Sequence, residues 1–188
     1  QSDNNKLSDN YASNNSMYGF LVSDSNATEL DSNYAANTSS LNGTGFGLVN
    51  ASYTSLINNT GKDNVYYGLN MSDSTRTTMT DNTLSGNKFN FKIEGTEDES
   101  FYHDIDTSNK VDGKLIYYFN DTNDVSLDES SNAGTVYVIN GINFTATDLY
   151  LTNNGYGMLL RNTTDAFVTN SVAEYNEVNG YWIHNSTN

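Results

Sequence analysis

Apolar residues in this chain come in short runs broken by Asn, Ser, Thr, Gly and Asp, and the breaks recur at fixed offsets. From Gly45, Leu56 follows at 11, Asn59 at 14 and Asn64 at 19. From Gly68 the same offsets reach Met79, Asn82 and Asn87, and from Gly157 they reach Val168, Ser171 and Asn176. From Gly19 they reach Leu30 and Asn33, after which the unit runs three residues long, since Gly45 lies 26 residues on. The closing segment 180–188 aligns with 157–165 at a step of 23. An Asn followed four residues later by Gly or its stand-in marks each unit: Asn15/Gly19, Asn64/Gly68, Asn87/Phe91, Asn153/Gly157 and Asn176/Gly180. A fixed period of this size means stacked copies of one supersecondary unit.

Each unit reads as two or three short strands joined by turns, with no helical period, and Asn, Ser, Thr and Gly are poor helix interiors. A propeller blade needs more residues, and a leucine-rich repeat needs more leucines. The chain is therefore expected to be all-β, a parallel β-helix (solenoid) of about eight coils. Equivalent strands about 4.8 Å apart would make a rod about 40 Å long. Leu30, Leu56, Met79 and Val168 are expected to form one inward ladder. Asn33, Asn59 and Asn82 are expected to form a buried turn ladder, each amide bonding the coils above and below. One domain over 1–188 is expected, with regular coils at 1–93, irregular coils with loops at 94–134 and regular coils at 135–188. The acidic turns of the middle segment flank an apolar run at 115–119 that reads as a strand.

Composition narrows the partners. Eight Lys+Arg face 23 Asp+Glu, a formal charge of −15. Such a polyanion is repelled by nucleic acid and by anionic lipid, so neither is an expected partner. No apolar run is long enough to span a membrane. There is no Cys and no Pro, so disulfide, thiolate and zinc–thiolate chemistry are excluded. With 31 Asn among so many Ser and Thr, about seven Asn-x-Ser/Thr sequons would arise by chance, and eleven occur. They lie at Asn14, Asn26, Asn37, Asn42, Asn50, Asn58, Asn70, Asn120, Asn143, Asn162 and Asn185. These are candidate glycan acceptors in an exported protein.

His103, Asp104 and Asp106 are the most catalytic-looking group, because glycosidic cleavage uses an acid and a second carboxylate. Structural turn chemistry is the competing reading, and no catalytic residue is assigned. Asp104, Asp106, Asp121 and Asp124 are weak calcium candidates, since hard cations take several oxygens; Asp128 and Glu129 extend the second acidic run. No other cofactor is expected. In the aromatic groups Tyr66-Tyr67, Tyr117-Tyr118-Phe119 and Tyr181-Trp182, alternate rings should point in and out. Outward rings would stack on sugars or on a neighbouring protein. Arg161 and His184 align between coils and are expected to share an outward position.

The segment His103–Phe119, followed by Ala133–Ile139 and Asp148–Leu160, resembles NosD-type (CASH-domain) β-helix repeat proteins, which are abundant on the surfaces of methanogenic archaea. The resemblance covers nearly the whole chain. It implies a right-handed parallel β-helix, an exported location and often an association with carbohydrate. The family namesake is periplasmic and tied to copper delivery for nitrous oxide reductase. Leu115 stands where the family often has proline.

The leading expectation is a structural, non-enzymatic cell-surface protein, glycosylated and assembling into an envelope layer, sheath or filament, with head-to-tail self-association through open strand edges. A carbohydrate-binding or polysaccharide-cleaving module is the alternative, and copper handling a third.

Overall fold

The structure is a computed structural model and describes residues 2–187. It is a β-solenoid of about eight turns with a period near 23 residues and parallel strands. The first five turns stack three walls. The long wall holds Tyr18–Ser23, Thr44–Val49, Tyr67–Ser72 and Phe89–Glu94. The first short wall holds Lys6–Ser8, Glu29–Asp31, Ser55–Ile57, Thr78–Thr80 and Asp104–Ile105. The second short wall holds Tyr11–Ser13, Tyr34–Ala36, Thr60–Lys62, Thr83–Ser85 and Lys110–Val111.

Side-chain ladders explain the offsets seen in the sequence. Leu7, Leu30, Leu56, Met79 and Ile105 are in register along the first short wall, buried from Leu30 onward. Asn10, Asn33, Asn59, Asn82 and Asn109 form the amide ladder. In it, each amide oxygen accepts from the backbone N–H of the preceding coil at 2.9–3.1 Å. A second amide ladder explains why Gly recurs. The Asn64 amide lies where a Cβ on Gly45 would sit, 2.7 Å away, and Asn87 does the same above Gly68. Any larger residue would displace the ladder. At most bends an Asn or Asp takes the left-handed φ, for example Asp24, Asn50 and Asp73 at 49°, 48° and 46°, with Ala27, Ser32, Tyr53, Arg76 and Tyr175 at others. Asn and Asp tolerate that region best after glycine.

The winding is not one uninterrupted rod. At Asp112 and Gly113, with φ of 48° and 80°, a two-residue turn of the hairpin type reverses the chain. Lys110–Val111 then pairs antiparallel with Lys114–Asn120. That strand begins the long wall of a second block, continued by Ala133–Ile139, Tyr156–Arg161 and Asn179–His184. One sheet of nine strands thus runs from the second short wall of the first block into the long wall of the second.

The reversal turns the second block's interior to the opposite side of that sheet. Val136, Val138, Met158 and Leu160 face it, packed with Leu127, Phe144, Ala146 and Leu151. Tyr118, Tyr137, Ile139 and Leu159 face the other way, into the core of the first block. This wall is therefore buried on both faces over Ala133–Ile139 and Tyr156–Arg161. Its four strands, about 15 Å wide, close the end of the first block. Residue 153 and Gly155 also cap the last long-wall strand: the Asn90 N–H donates to the Asn153 carbonyl and the Gly155 N–H to the Phe91 carbonyl.

Two expectations are corrected here. Val168 does not continue the Leu30 ladder; it is in register with Ala146 in the second block. The second-block amide ladder is Asn154 to Asn176, while Asn153 is the left-handed residue at the bend, so this step is 22 residues rather than 23.

Candidate functional site

The densest group of buried ionisable side chains lies where the two blocks meet. Lys92 projects from the last long-wall strand of the first block, at a position in register with Asn70 and Gly47 in the coils before it. Its stem lies beneath Gly155, where an added Cβ would come within 2.5 Å of it; this close approach requires glycine. The Lys92 ammonium is 2.9 Å from Glu94 Oε2 and 3.0 Å from Glu177 Oε2, and it donates to the Tyr67 hydroxyl at 3.1 Å. Both Tyr67 and Tyr66 donate to the Glu177 carboxylate, Tyr66 at 3.0 Å. Glu177 comes from the bend after Val172–Glu174.

The protonation states are fixed by these partners. Burial pushes Glu177 upward, but the Tyr67 hydrogen bond and the Lys92 ammonium outweigh it and hold the carboxyl below its usual range. Burial pushes Lys92 downward, but its bonds to Glu94 and Glu177 outweigh it and keep the amine charged. Burial first, and then the bond to Glu177, push Tyr67 far above the usual phenol range; Tyr66 moves the same way. Lys92 and Glu177 are thus held charged, and Tyr66 and Tyr67 protonated. The arrangement is a clamp that fastens the second block onto the first.

A second clamp lies nearby. Arg161 is 2.5 Å from Asp98 and stacks 4.6 Å from the Phe101 ring centroid. Asp98 and Phe101 belong to a 3₁₀ turn over Asp98–Phe101. Trp182 stacks on Tyr156 at 5.0 Å and meets Phe101 edge-on at 6.0 Å.

The expected group of His103, Asp104 and Asp106 is divided between two faces. His103 is buried while Asp104 and Asp106 are exposed. Its Nδ1 accepts from the Thr77 N–H at 3.1 Å, and its Nε2 sits 2.9 Å from the Ser100 carbonyl. It stands at the end of a column of buried threonines, Thr28, Thr54 and Thr77. Burial lowers its pKa to about 4, so it is neutral. Asp106 bonds Ser108 and Asn109 in a local turn. Asp121 and Asp124 are left-handed bend residues that accept from Asn140 and Asn143 at 2.9 and 2.7 Å. Asp128 caps the 3₁₀ turn Glu129–Ser131.

The aromatic expectations change as well. Tyr118 is buried between the blocks, while Tyr117 and Phe119 pack inside the second block, so neither set faces solvent. Arg161 is in register with His184, but it is buried rather than outward. Seven of the eleven sequon asparagines, at 14, 37, 50, 58, 143, 162 and 185, are left-handed bend residues. A bend that wants Asn, then an inward residue, then a hydroxyl writes the sequon by itself. Asn50, Asn143 and Asn185 commit their side-chain N–H to the coil before. Asn42 lies exposed in the turn of the longer coil.

Lys92, Glu177 and Tyr67 carried no sequence signal as a group, being up to 110 residues apart. The one local hint is a lysine flanked directly by Phe91 and Ile93.

Comparison with known families gives one result of weight. The model of the family described as periplasmic copper-binding protein (NosD) matches residues 1–118, more than half of the chain. The chain belongs to the NosD family. The matched part spans the whole first block and the hairpin into the second. The rest of this NosD chain forms the remaining coils of the solenoid, in the second block. Neither curated proteins nor solved structures gave a match. Among the described residues no helix is long and apolar enough to cross a membrane.

Proposed function

We propose that this NosD-family chain is a structural, non-enzymatic solenoid of the cell surface, glycosylated and built into an envelope layer, sheath or filament. The observation that carries this reading is the junction. Its Lys92, Glu177, Tyr66 and Tyr67 side chains bond one another across the two blocks, so this group is taken up in fastening them. The periplasmic description of the family supports an exported location. The last described strand leaves Ile183 about two-thirds exposed beside apolar hollows of about 360 and 480 Å³. A further coil, from the same chain or another copy, would cover them. Light scattering and negative-stain imaging over a concentration series test assembly, and intact mass of native material tests glycosylation. Growth along one axis and added mass are expected. A persistent monomer of bare polypeptide mass would overturn both parts.

A carbohydrate-binding reading has one observation in its favour. Half-exposed Tyr150, with Lys114 over its ring at 5.2 Å, borders a cleft of about 290 Å³ that also holds Glu129 and Asp148. Aromatic faces beside carboxylates suit sugars. Binding on a glycan array that is lost in Tyr150→Ala would favour this reading; silence on the array would retire it.

A further inference from the structure

We infer that this solenoid carries the NosD fold without a copper site of its own. Copper is selected by soft thiolate and thioether ligands as Cu(I), and by imidazoles as Cu(II). The chain has no Cys, two His and four Met, and the fold has already buried four of those six.

His103 is the one histidine in the stretch that matches the family. It is 5% exposed, and both ring nitrogens are engaged, by the Thr77 N–H and the Ser100 carbonyl. Turning it toward a metal would leave a buried N–H and a buried carbonyl without partners, at a cost of about 1–3 kcal/mol each. His184 is exposed, on the last strand. It stands alone: the other histidine is buried in the first block and the chain has no Cys, so no thiolate or second imidazole joins it.

The thioethers are dispersed. Met71 sits between Leu48 and Ile93 on the long wall. Met79 sits between Leu56 and Ile105 on the first short wall. Met158 lies in the separate core of the second block. All three are at most 1% exposed. Met17 alone is open to solvent, at 54%. Among the described residues no three His, Cys, Asp or Glu side chains are grouped to hold a metal ion.

The test is competition for copper, read without any enzyme activity. Cu(I) is offered as its complex with a chromophoric chelator under reducing conditions, and Cu(II) is added directly while Trp182 emission is followed. Trp182 is the only tryptophan and lies 5.7 Å from the His184 ring, so bound Cu(II) there would quench it. The expected result is that the chelator keeps its Cu(I) at equimolar protein and that one equivalent of Cu(II) leaves the emission unchanged. Transfer of one equivalent of Cu(I), or stoichiometric quenching, would overturn the inference. Loss of that signal in His103→Asn or His184→Asn would assign the ligand; persistence in both would put the site on other donors, thioether for Cu(I) or oxygen for Cu(II), and either way the inference falls.

Discussion

Replacing Asn82 by alanine probes the amide ladder where it is most completely bonded. Asn82 is 2% exposed. Its Oδ1 accepts from the backbone N–H and the side-chain amide of Asn59, at 2.9 and 3.0 Å. Its Nδ2 donates to the Leu56 carbonyl, the Asn109 amide oxygen and the Thr80 carbonyl, at 2.8, 2.8 and 3.1 Å. Alanine leaves the Asn59 N–H buried without a partner and the Leu56 carbonyl with one fewer. Each orphaned group costs about 1–3 kcal/mol, so the loss should be about 2–4 kcal/mol. That is a large part of the roughly 5–15 kcal/mol that holds a domain folded. Its neighbour in design is Asn58→Ala, an exposed bend residue at φ 53° whose amide donates to Ser32 Oγ at 3.2 Å. Left-handed strain there should cost about 1–2 kcal/mol. Urea unfolding followed by circular dichroism compares the two, and the midpoint of Asn82→Ala should fall by about 1–2 M. An Asn82→Ala midpoint no lower than that of Asn58→Ala would refute the claim that buried amides knit the coils.

Three further outcomes follow from the junction and the bends. Glu177→Gln removes the carboxylate that Lys92, Tyr66 and Tyr67 share; with Glu94 still beside the ammonium, the loss in urea should be about 2–4 kcal/mol, below the full cost of breaking a buried pair. Because the Glu177 carboxyl is held below its usual range, its contribution is present above that range and is lost as pH falls through the lowered value; Glu177→Gln should flatten this acid limb. His103 is depressed from 6.5 to about 4. The unfolded chain therefore takes up the proton first, and stability should decline by about 3 kcal/mol between those pH values; His103→Asn should fold and remove this decline in a pH series of unfolding curves. Gly113→Ala meets no neighbouring atom but keeps a φ of 80°, so it should cost about 1–2 kcal/mol by strain alone, measured as a drop in Tm with an unchanged near-UV spectrum.

The coils were legible in the sequence because their ladders join residues a constant 23 or 26 apart, so Leu30, Leu56 and Met79 announce one another. The same rule misplaced Val168, because the ladders of the first block do not continue past the reversal at Asp112-Gly113 and the second block starts its own. The cue for that reversal was present: Asp-Gly between two short strands is a strong hairpin signal. The junction was not legible at all. Arg161 reaches Asp98 across 63 residues and Tyr66 reaches Glu177 across 111, and such contacts leave no mark in a periodic pattern. Arg161 looked outward because it aligns with His184, yet that face of the wall is the one closing the first block. The excess of sequons has a structural source as well: the bend chooses Asn for its left-handed φ, and an inward residue followed by Ser or Thr completes the motif.

The account rests on the second block folding back so that its long wall covers the end of the first. Nuclear Overhauser contacts of the single tryptophan test this most directly. The indole of Trp182 should show cross-peaks to the ring of Phe101, whose centroid is 6.0 Å away, as well as to Tyr156 in the adjacent coil. A spectrum with the Tyr156 contact but none to Phe101, as a straight eight-coil rod would give, would contradict the account.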